Sequence, residues 1–88
     1  MTRKDLKVVN TLGIHARPAG MIANTAGRFQ SDVKMIKDGM EVNAKSIMGI
    51  MTLAAGRNTV ITLVASGPDE KEAAAALEDL FNRKFEEE

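Results

Sequence analysis

The dipeptide Asp38-Gly39 constrains the fold more than any other feature of this chain. It lies between residues 32–36 and residues 40–42, two short segments in which polar and apolar side chains alternate. A two-residue Asp-Gly connection is typical of a type I′ turn, whose positive φ angles match the twist of paired strands. We therefore predict a β-hairpin over residues 32–42.

The segments on either side of this hairpin predict a regular alternation of strands and helices. Two of them are short and rich in β-branched residues, which favours strands, and three carry apolar residues at helical spacing. The predicted strands are residues 6–9 and 60–65, and the predicted helices are residues 16–26, 46–53 and the segment after Asp69. With the hairpin, the order is β-α-β-β-α-β-α. Half-polar strands and helices with one apolar stripe predict an α+β fold, in which helices cover one face of an antiparallel sheet.

Three residues in or next to the predicted helices have a specific expected role. Gly27 follows the first predicted helix and suits the C′ position. Gly20 lies inside that helix, where glycine costs about 0.5–1 kcal/mol relative to alanine, so we expect another group to approach it closely. Ser46 is the expected N-cap of the second helix, because its hydroxyl can accept a hydrogen bond from a free backbone N–H.

The last helix has the clearest apolar stripe. Asp69 and Glu72 resemble a capping box at its start. The predicted buried stripe consists of Ala73, Leu77, Leu80 and Phe81. We expect Glu70, Lys71 and Glu72 to form a solvated helix face, and residues 86–88, all glutamate, to form a frayed and solvated end.

Composition narrows the class of protein. The chain has 88 residues, so we expect residues 1–88 to form one domain, and it has no cysteine, so its core must be stable without disulfides. Its 12 basic and 12 acidic residues cancel, which argues against nucleic acid as the main partner. No apolar run approaches the roughly 20 residues that span a bilayer, and no signal peptide is recognisable. We therefore expect a small cytoplasmic protein without membrane insertion.

The chain's one histidine lies just before the first predicted helix, in the segment Leu12-Gly13-Ile14-His15-Ala16-Arg17-Pro18-Ala19. The first backbone N–H groups of a helix have no intrahelical partner and attract anions, here those of Ala16 and Arg17. Arg17 adds a permanent positive charge, and Pro18 suits the first helical turn. The pattern predicts reversible phosphorylation of His15, with no carboxylate close by in sequence. The alternative is a surface histidine, or one that serves only as a hydrogen-bonded polar group.

Three segments together resemble the HPr family, the histidine-containing phosphocarriers of the bacterial phosphoenolpyruvate-dependent sugar phosphotransferase system. They are residues 13–19, residues 42–51 and residues 65–67, at the family's spacing. The resemblance runs nearly the full length of the chain. It implies an open-faced β-sandwich in which a four-stranded antiparallel sheet lies under three helices.

The same resemblance implies functions for individual residues. His15 would accept a phosphoryl group at Nδ1 from enzyme I and pass it to enzyme IIA domains, and Arg17 would stabilise the phosphorylated state. Ser46 matches the position that a serine kinase/phosphorylase modifies in many relatives, and a transcriptional regulator is a further expected partner. The chain would be a monomer and a substrate of two reactions rather than an enzyme, with no cofactor and no metal.

Two groups of residues depart from the family pattern. Gly20 stands where threonine or alanine is often found, which bears on affinity for partners. Ala54, Ala55 and Asn58 stand where glycine is often found, and asparagine tolerates a positive φ better than most residues.

Several of these residues have a purely structural alternative. Helix capping alone would explain Ser46, although phosphorylation at an N-cap is compatible with the helix dipole. Burial is the usual role of methionine, yet six methionines without Trp or Tyr favour an exposed, adaptable surface. For that surface we predict docking residues Met21, Ile47, Met48 and Met51. Lys45 and Arg57 are equally consistent with solvated charges.

Three functions remain open at the level of sequence. The first is a phosphocarrier for sugar uptake. The second is a regulatory HPr-like interaction protein that signals by phosphorylation without sugar transport. The third is an unrelated small α/β binding domain in which the histidine is structural. Scarce aromatic residues argue against a nucleic-acid version of the third, since base stacking needs exposed rings.

Overall fold

The computed structural model describes residues 1–87 and confirms the predicted α+β fold. Strands and helices follow one another in the predicted order, and a single 3₁₀ turn, here called the C-terminal turn, follows the last helix. The strands are β1 (Thr2–Lys7), β2 (Asp32–Lys37), β3 (Met40–Asn43) and β4 (Val60–Ser66). The helices are α1 (Ala16–Gly27), α2 (Ile47–Thr52) and α3 (Glu70–Asn82), and the C-terminal turn is Lys84–Glu86.

The four strands form one antiparallel sheet in the order β1-β4-β2-β3. The hairpin predicted at Asp38-Gly39 joins β2 to β3, and the φ angles of +50° and +81° at these two residues are those that a type I′ turn requires. β4 lies between β1 and β2 although it is the last strand in the chain. The helical segments that connect non-neighbouring strands therefore cover one face of the sheet.

The core lies between this sheet face and the helices. Along β2 and β4 every second side chain is buried, as a half-buried strand requires. From α3, the predicted apolar stripe is buried together with Ala74. The largest fully buried side chains are Phe81, Phe85, Ile22, Met35, Ile50, Ile61, Leu63 and Leu77.

The first strand differs from its predicted bounds. It covers Thr2–Lys7 rather than residues 6–9, and it pairs with β4 from Thr2 opposite Ala65 to Lys7 opposite Val60. Most of its residues are polar because it is an edge strand, and Leu6 is its buried residue. Val8 is also buried, but it lies past the strand and exchanges backbone hydrogen bonds with the loop before β4.

Both glycine expectations for α1 are wrong. Gly27 is the last residue of the helix, and the C-cap is Arg28 with right-handed backbone angles, so the helix ends without a left-handed glycine. At Gly20 a Cβ atom would meet nothing within 4 Å among residues 1–87. No close approach therefore explains this glycine.

The start of α3 also differs from expectation. Asp69 is the N-cap, but its side chain makes no cap hydrogen bond, so the capping box is not formed. Its carboxylate instead accepts hydrogen bonds from the Ser31 hydroxyl and from the backbone N–H groups of Gln30 and Ser31. These donors, the hydroxyl first, lower the pKa of Asp69. Asp69 thus ties the start of α3 to the segment between α1 and β2.

Glu70 does not belong to a solvated face either. Its carboxylate accepts hydrogen bonds from the chain's terminal amine, the Thr2 hydroxyl and the Gly67 N–H. These donors, the amine first, lower the pKa of Glu70 to about 2. Lys71 and Glu72 are exposed, as predicted.

Within residues 1–87, no helix is both long and apolar enough to cross a membrane.

Candidate functional site

His15 lies at the end of a loop whose shape is fixed by contact with a second loop. Gly13 adopts φ +70°, and the N–H of Ile14 donates to the carbonyl oxygen of Ala55 at 2.9 Å. A Cβ atom on Gly13 would lie 2.6 Å from that same oxygen and 2.8 Å from the Cα of Gly56. Only glycine fits here, because it tolerates the left-handed backbone and leaves room for the facing chain.

His15 is the N-cap residue of α1, with extended backbone angles. Its carbonyl oxygen accepts the hydrogen bond of Ala19 at 3.0 Å, and Pro18 is buried in the first turn. The His15 side chain makes no cap hydrogen bond, so it does not occupy the N–H groups of the first turn. Those N–H groups, among them Ala16 and Arg17, lie where a helix attracts negative charge.

The imidazole of His15 contacts a carboxylate that is distant in sequence. His15 Nε2 lies 2.9 Å from Glu87 Oε1. The same oxygen accepts from Asn10 Nδ2 at 2.8 Å, and Glu87 Oε2 accepts from Arg17 Nη1 at 3.2 Å. The side chain of Glu87 is consequently only 18% exposed. Donation from His15, and then from Asn10 and Arg17, holds the pKa of Glu87 below its ordinary value.

The prediction of a frayed, solvated end is therefore wrong for Glu87. Glu86 belongs to the ordered C-terminal turn but is exposed, as predicted, and Glu88 lies outside the described residues. Phe85 is fully buried and packs edge-on against Phe81, with ring centroids 4.9 Å apart. This anchor returns the chain toward the loop that bears His15. Phe85 could have indicated this ordered end from the sequence. An aromatic residue just past an amphipathic helix favours packing of the following segment onto the core over fraying.

Asn10 is a second residue that sequence reasoning missed. It is fully buried, and its Nδ2 donates both to the carbonyl oxygen of Gly13 at 2.7 Å and to Glu87. Its Oδ1 has no hydrogen-bond partner in the described part of the chain. Asn10 links the loop before His15 to the end of the chain.

Arg17 lies beside His15, as predicted, and its side chain is 54% exposed. Besides Glu87, its guanidinium donates to the carbonyl oxygen of Phe85 at 3.4 Å. The group that was predicted to stabilise a phosphate is thus oriented by the C-terminal turn.

The structure confirms Ser46 as the N-cap of α2, since its Oγ accepts from the N–H of Gly49 at 3.0 Å. Of the two ambiguous cations, Lys45 has a structural role because its Nζ donates to the carbonyl oxygen of Phe29 at 2.8 Å, next to the end of α1. Arg57 is exposed.

Three of the four predicted docking residues form an exposed apolar surface on α2, which packs against α1. Met48 is 81% exposed, and Ile47 and Met51 are each nearly half exposed. Met21 differs, because it is partly buried and lines a groove with residues of α3. Leu12, in the loop before His15, is 73% exposed and was missed by the sequence analysis.

The loop that faces Gly13 contains Ala54, Ala55 and Asn58, where the resemblance led us to expect glycine. Ala54 has φ +51° and Asn58 has φ +73°. Asn58 is well suited to that conformation, whereas Ala54 is strained by it. The turn nevertheless keeps the contact between Ala55 and Ile14.

Comparison with known proteins agrees with this geometry. Residues 2–83 match the family model described as the PTS HPr component phosphorylation site. The phosphocarrier protein HPr of Treponema pallidum is 50% identical over 88 residues, the full length of both chains.

Solved structures are similar over nearly the whole chain. The crystal structure of HPr-C-His from Thermoanaerobacter tengcongensis has a TM-score of 0.96 at 46% identity and covers 100% of this chain and 99% of its own. The Bacillus subtilis catabolite repression containing protein Crh, described as a swapped dimer, has a TM-score of 0.76 at 44% identity and covers 96% and 97%. The family match and the full-length relatives together show that this chain belongs to the HPr family of phosphotransferase-system phosphocarriers and is not an enzyme.

Proposed function

We propose that this chain accepts a phosphoryl group on His15 Nδ1 from phosphorylated enzyme I and passes it to enzyme IIA domains for sugar uptake. The observation that carries the proposal is the placement of His15 at the N-cap of α1 without a side-chain cap hydrogen bond. A phosphoryl group on this ring would meet the backbone N–H groups of Ala16 and Arg17 and the positive end of the helix dipole. Phosphoryl transfer depends mainly on positioning and charge stabilisation, which this site supplies.

Docking to several partners would use the exposed apolar side chains Ile47, Met48 and Met51 on α2, together with the partly buried Met21 on α1. Methionine side chains are flexible and polarizable, so the same surface can repack against different proteins. A carrier must release each partner quickly, and we expect an interface at the low end of the usual range, below about 1,200 Å².

Phosphoryl transfer to the purified protein tests the main proposal. The chain and its His15→Ala variant are incubated with phosphoenolpyruvate, Mg²⁺ and a bacterial enzyme I, and are then examined by intact mass and phosphorus NMR. One acid-labile phosphate on the native protein, absent from the variant, would support the carrier function. A folded native protein that gains no phosphate, even with enzyme I from its own source, would contradict it.

We further propose that Ser46 is a regulatory phosphorylation site, modified by a serine kinase/phosphorylase. Its hydroxyl caps α2 and lies next to Ile47 and Met48 in the chain. A phosphate at this position would face the favourable end of the helix and leave the fold intact. It would also place about −2 charges on the docking surface, which would weaken docking by repulsion.

Two substitutions separate charge from capping at Ser46. Aspartate and asparagine are comparable N-caps, but only aspartate carries a charge. We expect Ser46→Asp to slow phosphoryl transfer from enzyme I by about tenfold, as like charges at an interface do, with Ser46→Asn close to native. Equal rates in the two variants would contradict regulation by repulsion.

The remaining parts of the proposal follow from this role. We place the chain in the cytoplasm as a single-domain monomer, with a transcriptional regulator as a further partner. Size-exclusion chromatography tests whether the chain is a monomer. The test is needed because the related protein Crh is described as a swapped dimer. The regulatory alternative without sugar transport has support in the likeness to Crh, at 44% identity, whereas the carrier has support in the likeness to the phosphocarrier protein HPr of Treponema pallidum, at 50% identity.

A further inference from the structure

We propose that Glu87 is a positioning residue, which holds the proton of the His15 imidazole on Nε2 and so presents Nδ1 as the nucleophile. The inference rests on the proposed phosphorylation of His15 and adds a group outside residues 13–19, the segment that carries the family motif around this histidine. It also identifies a function for the C-terminal turn.

The chemistry of the contact fixes the direction of the hydrogen bond. An ionised carboxylate can only accept, so His15 Nε2, at 2.9 Å from Glu87 Oε1, must be the donor. A neutral imidazole carries one proton, and a proton held on Nε2 leaves the lone pair on Nδ1. The side chain makes no cap hydrogen bond with α1, so that lone pair is not engaged by the helix.

The carboxylate is itself held in place by several donors. Asn10, which is fully buried, donates to the same oxygen that faces the ring, and Arg17 donates to the other. The Asn10 amide NH₂ group faces two acceptors, Glu87 and the Gly13 carbonyl oxygen, which fixes its orientation. A contact made by chance on the surface would not be shared with a buried side chain.

The backbone that delivers Glu87 is strained. Lys84, Phe85 and Glu86 have φ angles of +56°, +54° and +59°, in the left-handed region that non-glycine residues rarely occupy. Burial of Phe85 against Phe81 holds this conformation. Backbone strain of this kind persists where the surrounding structure enforces it and is common at functional sites.

The transfer step shows what the carboxylate would contribute. The Nδ1 lone pair forms the bond to phosphorus, while the bond between phosphorus and the leaving group of the donor breaks and its electron pair stays with the donor. The Nε2 proton remains in place, so the phosphorylated ring carries a positive charge. Glu87 faces that charge at Nε2, on the side of the ring away from the phosphoryl group, and stabilises it as it develops. When the group leaves for the next acceptor, the N–P electron pair returns to Nδ1.

The first test needs no partner enzyme. Nitrogen-15 NMR of the His15 ring reports which nitrogen carries the proton, in the native protein and in Glu87→Ala. Glu86→Ala is the matched control, because it removes the neighbouring carboxylate, which pairs with Arg83 and not with the ring. We expect the Nε2–H form in the native protein and in the control, and a measurable population of the Nδ1–H form in Glu87→Ala.

The second test measures the initial rate of phosphorylation by enzyme I in the same three proteins. The loss of a charge-assisted hydrogen bond predicts a decrease of about tenfold in kcat for Glu87→Ala, with KM for the carrier nearly unchanged and the control at the native rate. Glu87→Gln keeps an acceptor oxygen but not the charge, so it should retain the Nε2–H form and still lose rate.

The two measurements separate the possible failures. Identical ring spectra in the native protein and Glu87→Ala would overturn the inference, as would a native rate in Glu87→Ala. If no protein gains a phosphate, the proposed function fails, while the ring spectra still decide whether Glu87 holds the proton.

Discussion

The sites at His15 and Ser46 are both helix N-caps, yet they are built in different ways. Ser46 is held by its own helix, through a hydrogen bond from Gly49 three residues away. His15 is held by residues from three parts of the chain: Asn10 in its loop, Ala55 in the facing loop and Glu87 at the far end. One site is local, and the other depends on the folded chain as a whole.

This difference affects what can disturb each site. A local cap fails when its own side chain is changed, and the damage remains within one short helix. A site assembled from distant segments can also fail through buried residues outside the motif, such as Asn10. We therefore expect mutations outside the motif to affect His15 more strongly than Ser46.

The largest expected effect is that of Gly13→Ala. Alanine at this position would have to adopt the left-handed backbone conformation, and its Cβ atom would lie 2.6 Å from the carbonyl oxygen of Ala55. A left-handed alanine costs about 1–2 kcal/mol, and overpacking adds about 1–3 kcal/mol. We predict a loss of about 3 kcal/mol in the free energy of unfolding, measured by urea denaturation.

Gly39→Ala is the control for that prediction. Gly39 also has a positive φ, but a Cβ atom there would meet nothing within 4 Å in the part of the chain that the structure describes. It should lose about 1–2 kcal/mol, from the backbone alone. If both variants lose the same stability, contact between the two loops does not hold the His15 site in place.

The same contrast explains how much could be predicted from the sequence. The hairpin at Asp38-Gly39, the cap at Ser46 and the apolar stripe of α3 depend on neighbours within a few residues, and all three predictions were correct. Glu87 was assigned to a solvated end because its contacts with Asn10 and His15 span more than 70 residues. Local patterns carry no information on such pairs.

Asp69 and Gly20 illustrate two further limits. The Asp69 carboxylate can cap its own helix or accept hydrogen bonds from the backbone N–H groups of Gln30 and Ser31. In the folded protein it accepts from these distant residues. At Gly20, the sequence suggests a reason for glycine that the structure does not contain. A residue type can therefore be recognised as unusual without its cause being predictable.

Ser46→Ala tests the local site. The substitution removes the acceptor for the Gly49 N–H, and loss of an N-cap costs about 1 kcal/mol. Urea denaturation should show this loss, while amide hydrogen exchange should increase mainly in Ile47–Thr52. Chemical-shift changes that reach His15 would show that the two sites are coupled rather than independent.

Gly20→Ala should have a smaller effect of opposite sign. The position is inside α1, and the added methyl group has open space around it, so we expect a gain of about 0.5–1 kcal/mol. Thermal unfolding checks this gain. A loss of stability would mean that the backbone of α1 beside the His15 loop needs the freedom of glycine.

The smallest expected effect concerns the pH dependence of stability at Glu87. Its pKa is lowered in the folded protein, chiefly by hydrogen bonding to His15, so its contribution to stability is present above the ordinary glutamate pKa of about 4.3 and is lost as the pH falls through the folded value. Solvent screening at this partly exposed position keeps that contribution small. Glu87→Gln should therefore have a lower Tm than the native protein at neutral pH, and the two Tm values should converge as the pH falls below the ordinary glutamate pKa. The side chain of Glu86 is 58% exposed, so Glu86→Gln should follow the native curve. If the Tm of Glu87→Gln runs parallel to the native Tm at all pH values, the charge of Glu87 does not contribute to the His15 site. The sites at His15 and Ser46 would then differ only in the loop contacts that hold His15.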